Sequence, residues 1–218
     1  MDAGAIVTSM LDLASLAPER VRLLDRHEFL QLAELGAFDG QRVELLRGWV
    51  VRMSPQSEPH MRITAWLAMR LIKALDTRRY EIRAHSSFVI SQTSLPEPDV
   101  AVSWTPEGPL GPNPKTALLL IEVASSSLAK DRVIKNEIYA AAGVPEYWIV
   151  NVNASTVEVL TRPAKTGYQR CVVKKIGDVL RPTTVRSFAL PVAEIPWLRP
   201  GETDEPLVPK KRKRAKRS

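Results

Sequence analysis

The chain has a single cysteine, Cys171, in 218 residues, so no intramolecular disulfide can form. Nothing in it calls for an oxidising compartment. A lone thiol in a strand-like segment is expected to be a small buried side chain. No apolar run approaches the eighteen or so residues that a membrane span requires. The first ten residues, MDAGAIVTSM, have neither a basic start nor a long apolar stretch. A secretory signal is therefore not expected, and the cytoplasm is the expected location. There is no internal repeat.

What is present fits a globular protein. Hydrophobic residues make up 44% and charged residues 25%, which places the chain among ordinary folded domains. The length suits one domain of about 180 to 200 residues plus tails, large enough to bury a core without cross-links. The expected division is an N-terminal extension over 1–17, a domain over 18–198 and a tail over 199–218. The net charge is +7, but its location matters more than its size. The last nine residues, KKRKRAKRS, hold seven basic side chains: Lys210, Lys211, Arg212, Lys213, Arg214, Lys216 and Arg217. Without them the chain is formally neutral, so the globular part gives no electrostatic argument for DNA. The tail is a like-charge run, expected to be disordered and able to contact nucleic acid without reading its sequence. It also resembles a nuclear-import signal, and a purely solubilising role is the alternative.

Local patterns order the elements. Asp25 with Glu28 fits a capping box, and Gly36 would stop the helix that follows. Residues 42–53 read as a hairpin turning at Arg47-Gly48. Pro55 and Pro59 interrupt the chain. A helix is expected from about His60 to Asp76, with Ile63, Leu67, Leu71 and Leu75 on one stripe. Strands are expected over 80–90 and 99–104, the second with Val100, Val102 and Trp104 on one greasy face. The loop over 105–115 is rich in proline and glycine. Residues 117–124 are apolar apart from Glu122, as in a central strand covered on both faces. Ser125 to Ser127 can cap a helix that ends at Gly143. A strand over 146–151 completes a right-handed parallel crossover. Two further strands, 155–161 and 168–175, follow. The segment from Pro191 onward is expected to wrap the surface. Trp66, Trp104 and Trp148 are read as core.

Two carboxylates stand out. Glu122, inside an apolar strand, is costly unless paired, protonated or bound to a metal. Asp99 opens a strand directly after Pro-Glu-Pro, whose stiff backbone fixes it in place. If the two strands are neighbours, two hard oxygen donors converge. With backbone carbonyls, Val123 being the candidate, and water, they suit magnesium or manganese. On the next helix Asp131, Lys135 and Tyr139 recur every four residues and share a face. A lysine there can orient water and stabilise charge on a phosphate. The alternatives stay open: Glu122 paired with a buried cation, Asp99 a strand-end carboxylate, Lys135 and Asp131 a helical ion pair, Tyr139 a packing residue.

Three segments decide between these readings: RVELLRGWVVRMSPQSEPH (42–60), PEPDVAVSW (96–104) and LLLIEVASSSLAKDRVIKNEIYAAAGVPEYWIVN (118–151). In order and content they resemble the Uma family of putative restriction endonucleases, within the PD-(D/E)XK nuclease superfamily. The likeness covers about residues 22–195. It implies an α/β, restriction-endonuclease-like core: a mixed central sheet flanked by helices, with extra C-terminal strands. It implies a magnesium- or manganese-dependent endonuclease acting on DNA. Asp99 and Glu122 would be metal ligands, Glu44 the upstream acid that assists metal or water, Lys135 the lysine on the following helix. His60 matches a histidine near the site. The superfamily's usual lysine position, two after the second acid, is Ala124 here. Asn151 stands where relatives usually carry aspartate. A homodimer would suit double-strand cutting. The alternatives are a non-catalytic nucleic-acid-binding or assembly module on a nuclease fold, and a hydrolase of another phosphate ester.

Overall fold

A computed structural model describes residues 22–106 and 116–198. The expected N-terminal extension, most of the proline-rich loop and the basic tail lie outside the described residues. Among those described, no helix is long and apolar enough to cross a membrane.

Helix α1 (Arg26–Glu34) starts at the expected capping box: Glu28 N–H donates to Asp25, and the Glu28 carboxylate accepts from Asp25 N–H. A hairpin of β1 (Val43–Leu46) and β2 (Trp49–Arg52) follows. Its two turn residues both take positive φ, Arg47 at 53° and Gly48 at 83°. That conformation is the usual requirement of a two-residue turn matching strand twist. A Cβ at Gly48 would lie 2.6 Å from Leu23 Cβ, so glycine is also needed for space. Helix α2 (Glu58–Ala74) begins two residues earlier than the sequence suggests. Ser57 caps it, and Pro59 sits within the first turn, where its missing N–H has no cost.

The central sheet has six strands in the order β3 (Tyr80–Ala84), β4 (Val100–Trp104), β5 (Leu119–Ala124), β6 (Glu146–Asn151), β7 (Thr156–Ala164) and β8 (Gly167–Lys174). Only β5 and β6 run parallel; every other neighbouring pair is antiparallel. The β5–β6 connection carries the third helical segment, α3, built from Leu128–Lys130, Asp131–Lys135 and Asn136–Ala141. Its middle five residues wind as a π-helix. A short pair, β9 (Val179–Leu180) and β10 (Leu190–Pro191), lies apart from the main sheet. The architecture is mixed α/β, as the sequence predicts.

Alternation along β5 sorts the core. Leu119, Ile121 and Val123 pack with Ile63, Leu67 and Leu71 of α2 and with the C-terminal segment. Leu120 and Ala124 face the other way, toward Ile138 and Tyr139 of α3. Glu122 shares that second face by period.

Several expectations are corrected. The strand after α2 ends at Ala84, because His85 takes a φ of 48° and turns the chain out of the sheet. In β4, Ala101 and Ser103 are as buried as Val100 and Val102, since both faces are covered; Trp104 is 51% exposed and stacks on Tyr80. Trp66 is only partly buried against the core, whereas Trp148 is fully inside. Ser127 makes no capping bond to α3. The segment after Pro191 is part of the core: Val192, Ile195 and Leu198 are fully buried. Cys171 lies on β8 but is exposed, because the outward face of this edge strand meets solvent.

Leu67 joins α2 to the sheet with no exposure. Truncation to alanine is expected to cost about 2–5 kcal/mol. Urea denaturation of the Leu67→Ala variant measures it, and a loss below about 1 kcal/mol would contradict this packing.

Candidate active site

The β4–β5 register pairs Val100 with Ile121 and Ala101 with Leu120. One further step sets Asp99 across from Glu122, and both point to the α3 face. Asp99 Oδ2 accepts from Val123 N–H at 2.7 Å, which fixes the carboxylate against β5. His60 Nε2, from the first turn of α2, lies 3.0 Å from the same oxygen. A carboxylate oxygen facing an amide accepts, so this ring nitrogen carries a hydrogen. His60 Nδ1 is buried without a partner among the described residues.

Helix α3 supplies the cation. Lys135, 2% exposed, donates to Glu122 Oε1 at 2.8 Å and lies 3.2 Å from Glu44 Oε2. Tyr139 O–H donates to Glu122 Oε1 at 2.8 Å. The wider π turn between Asp131 and Lys135 offsets the rotation that a continuous α-helix would accumulate, so Asp131, Lys135 and Tyr139 stay aligned along one face. Asp131 accepts from Ser127 O–H through Oδ2, at 2.6 Å, while its Oδ1 is buried without a partner among the described residues. Glu44 comes from β1, where Lys130 Nζ donates to Oε1 at 2.6 Å. Asp99, Glu122, Lys130, Asp131, Lys135 and His60 all line one cavity of about 50 Å³.

Thus Glu44, Asp99, Glu122, Lys135, His60, Asp131 and Tyr139 come together. Val123 adjoins Asp99 through its amide. The seven basic residues of the tail lie outside the described residues. Sequence alone assigns His85 and Lys130 no place in the site and Ser127 only a capping one, yet all three adjoin it. His85 N–H donates to the Asp99 carbonyl at 3.1 Å, and its Nδ1 lies 3.5 Å from Asp99 Oδ1. Only strand pairing reveals that proximity. Lys130, five residues before Lys135, was legible only had the π turn been known. Asn151 accepts from Ala154 N–H and shapes the turn after β6.

The electrostatics divide the acids. Burial pushes Asp99 upward most strongly, but hydrogen bonding and charge from His60, the Val123 amide and Lys135 together hold it below its ordinary value. Glu44 is likewise held low, its burial outweighed by Lys135 and Lys130. Glu122 is driven well above the carboxylate range, by burial and then by Asp99, Asp131 and Glu44, against the pull of Lys135. Asp131 is raised, chiefly by burial. Burial opposes the Lys135 charge, yet Glu122, Glu44 and Asp131 more than offset it and hold the ammonium.

The donor set fits a hard divalent ion. Four carboxylates face two ammonium groups, which leaves a surplus of negative charge. The partnerless Asp131 Oδ1 is the kind of atom that water or an ion satisfies. Among the described residues, no three His, Cys, Asp or Glu side chains group closely enough to enclose a metal by themselves. Two carboxylates, a carbonyl and water are what magnesium takes, since it keeps much of its hydration.

The family model for Uma2, described as putative restriction endonuclease, matches residues 26–193. The chain belongs to the Uma2 family. A crystal structure from Anabaena variabilis, described as a putative nuclease belonging to DUF820, is similar with a TM-score of 0.67 and 17% identity. The alignment covers 81% of this chain and 99% of that one, and at this identity it speaks for the fold alone. No curated protein gives a match. The Uma2 chain thus has a restriction-endonuclease-like fold with its acids gathered at one cavity.

The raised Glu122 makes a pH prediction. Between the ordinary value of 4.5 and its higher folded value, the folded protein keeps a proton that the unfolded chain releases. Its contribution to stability therefore declines as pH rises through that window and is level above it. Glutamine cannot ionise, so the Tm of Glu122→Gln relative to wild type, in chelator, is expected to climb across the window. A difference that is flat with pH would contradict the assignment.

Proposed function

We propose that this protein is a metal-dependent endonuclease that hydrolyses DNA phosphodiester bonds at the cavity between β4, β5 and α3. The observation that carries the proposal is the meeting of Asp99, Glu122 and Lys135, from three separate elements, in a chain of the Uma2 family. Asp99, Glu122 and the Val123 carbonyl would hold magnesium or manganese. When bound, such an ion supplies Lewis acidity to the phosphate and lowers the pKa of water.

The chain's own groups do the rest. Asp99, held ionised, keeps Oδ2 against the Val123 amide and His60 and turns Oδ1 toward His85. Lys135 has three N–H donors; it donates to Glu122 and pairs electrostatically with Glu44, so an N–H remains that would face a phosphate oxygen whose charge grows in the transition state. Tyr139 and Lys135 fix the orientation of Glu122. Glu44 anchors Lys135 and Lys130 to the hairpin. His60 positions Asp99. The basic tail would add sequence-independent grip, and a homodimer would bring two such sites to one duplex.

A second reading, a nucleic-acid-binding module without catalysis, has two observations in its favour. The lysine position two after the second acid is Ala124, and the only buried ammonium at the site among the described residues, that of Lys135, is already engaged by two carboxylates.

Nicking of supercoiled plasmid in manganese separates the two. Asp99→Ala or Glu122→Ala is expected to lower the rate by about 10²-fold or more with far-UV circular dichroism unchanged. Undiminished cleavage in both variants would place the chemistry elsewhere. DNA binding by wild type without nicking in either metal would favour the module.

A further inference from the structure

A second, larger hollow of about 560 Å³ lies beside the site cavity, and the two share the wall formed by Met53, Ser54, Pro55 and Gln56. It opens at the free end of the β1–β2 hairpin, where Met53 N–H donates to the Arg42 carbonyl at 2.9 Å. Two arginines line it. Arg42 is neutralised by Glu97. Arg52 is exposed and has no carboxylate partner among the described residues. Met61, 44% exposed, adds an apolar patch on the α2 side.

We infer that this hollow is the track of the DNA strand flanking the scissile phosphate, with the Arg52 guanidinium contacting a backbone phosphate and Met61 packing against the sugar or base. The inference rests on the nuclease reading above and extends it to a substrate path. Three features select a nucleic-acid strand as occupant. The hollow is continuous with the cavity where a phosphate would react. Its uncompensated charge is positive, while the cavity beyond carries the surplus of carboxylates, so an anionic chain is attracted here and needs a cation only at the reacting centre. A guanidinium with no internal partner offers its donor fork to a phosphate without breaking an existing ion pair. Arg52 is a positioning residue in this scheme, since it touches the substrate away from the reacting atoms.

The test uses the full chain, so the basic tail contributes equally to every protein compared. Duplex binding by fluorescence anisotropy, in chelator and across a salt series, gives the slope of log affinity against log salt. Arg52→Ala is expected to weaken binding and reduce that slope by about 1, the signature of one lost phosphate contact. Arg52→Lys is expected to restore most of the slope. In plasmid nicking, Arg52→Ala is expected to raise KM with kcat retained, and manganese binding by calorimetry is expected to match wild type. An unchanged slope and KM in Arg52→Ala, with wild type binding and nicking normally, would overturn the track and leave the nuclease reading standing. Wild type that neither binds nor nicks DNA would overturn both.

Discussion

The buried ammonium of Lys135 is the interaction on which the site depends. It joins Glu122 of the central strand to Glu44 of the hairpin, and its own helix is the crossover between the two parallel strands. Taking such a charge out of water costs several kcal/mol, and only close partners of opposite sign make it tolerable. Removal of any one member takes a partner from a charge that stays buried. Three elements distant in sequence are therefore held in one geometry by mutual electrostatic need as much as by apolar packing.

That packing sets the stage differently on each side of the sheet. The α2 face is mostly hydrocarbon, with no carboxylate from β4 or β5; its buried Glu146, on β6, is satisfied by Trp148 and Thr183. The α3 face carries the carboxylates of the site, and it is there that the helix takes its π turn. The surplus negative charge is a standing cost of the folded protein. A carboxylate driven to hold its proton, as at Glu122, is one relief of that cost, and a divalent ion is another. An ion held as proposed would compete with that proton for the same atoms, so its binding would release a proton.

Much of the scaffold was legible in the sequence, because its signals are local. The Ile63, Leu67, Leu71, Leu75 stripe, the Arg47-Gly48 turn and the apolar run around Glu122 each follow from spacing alone. The capping box at Asp25 and Glu28 is local as well. The order of acids and lysine along the chain was readable too, and the structure brings those side chains together. What was not legible depends on pairing and position in the sheet. Ala101 and Ser103 look outward-facing by alternation, but a strand inside a sheet covered on both sides buries them. Trp104 and Cys171 look buried by type, yet one ends its strand beside Tyr80 and the other lies on an edge strand. His85 reaches Asp99 only through the β3–β4 pairing, and Lys130 reaches Glu44 only where α3 meets the hairpin.

In the proposed function, Asp99 and Glu122 hold a divalent ion beside Lys135. Anomalous scattering from crystals of the full chain grown in manganese tests it most directly. A single strong peak within bonding distance of both carboxylates and the Val123 carbonyl is the predicted result. A peak bound elsewhere, or none at saturating manganese, would contradict it.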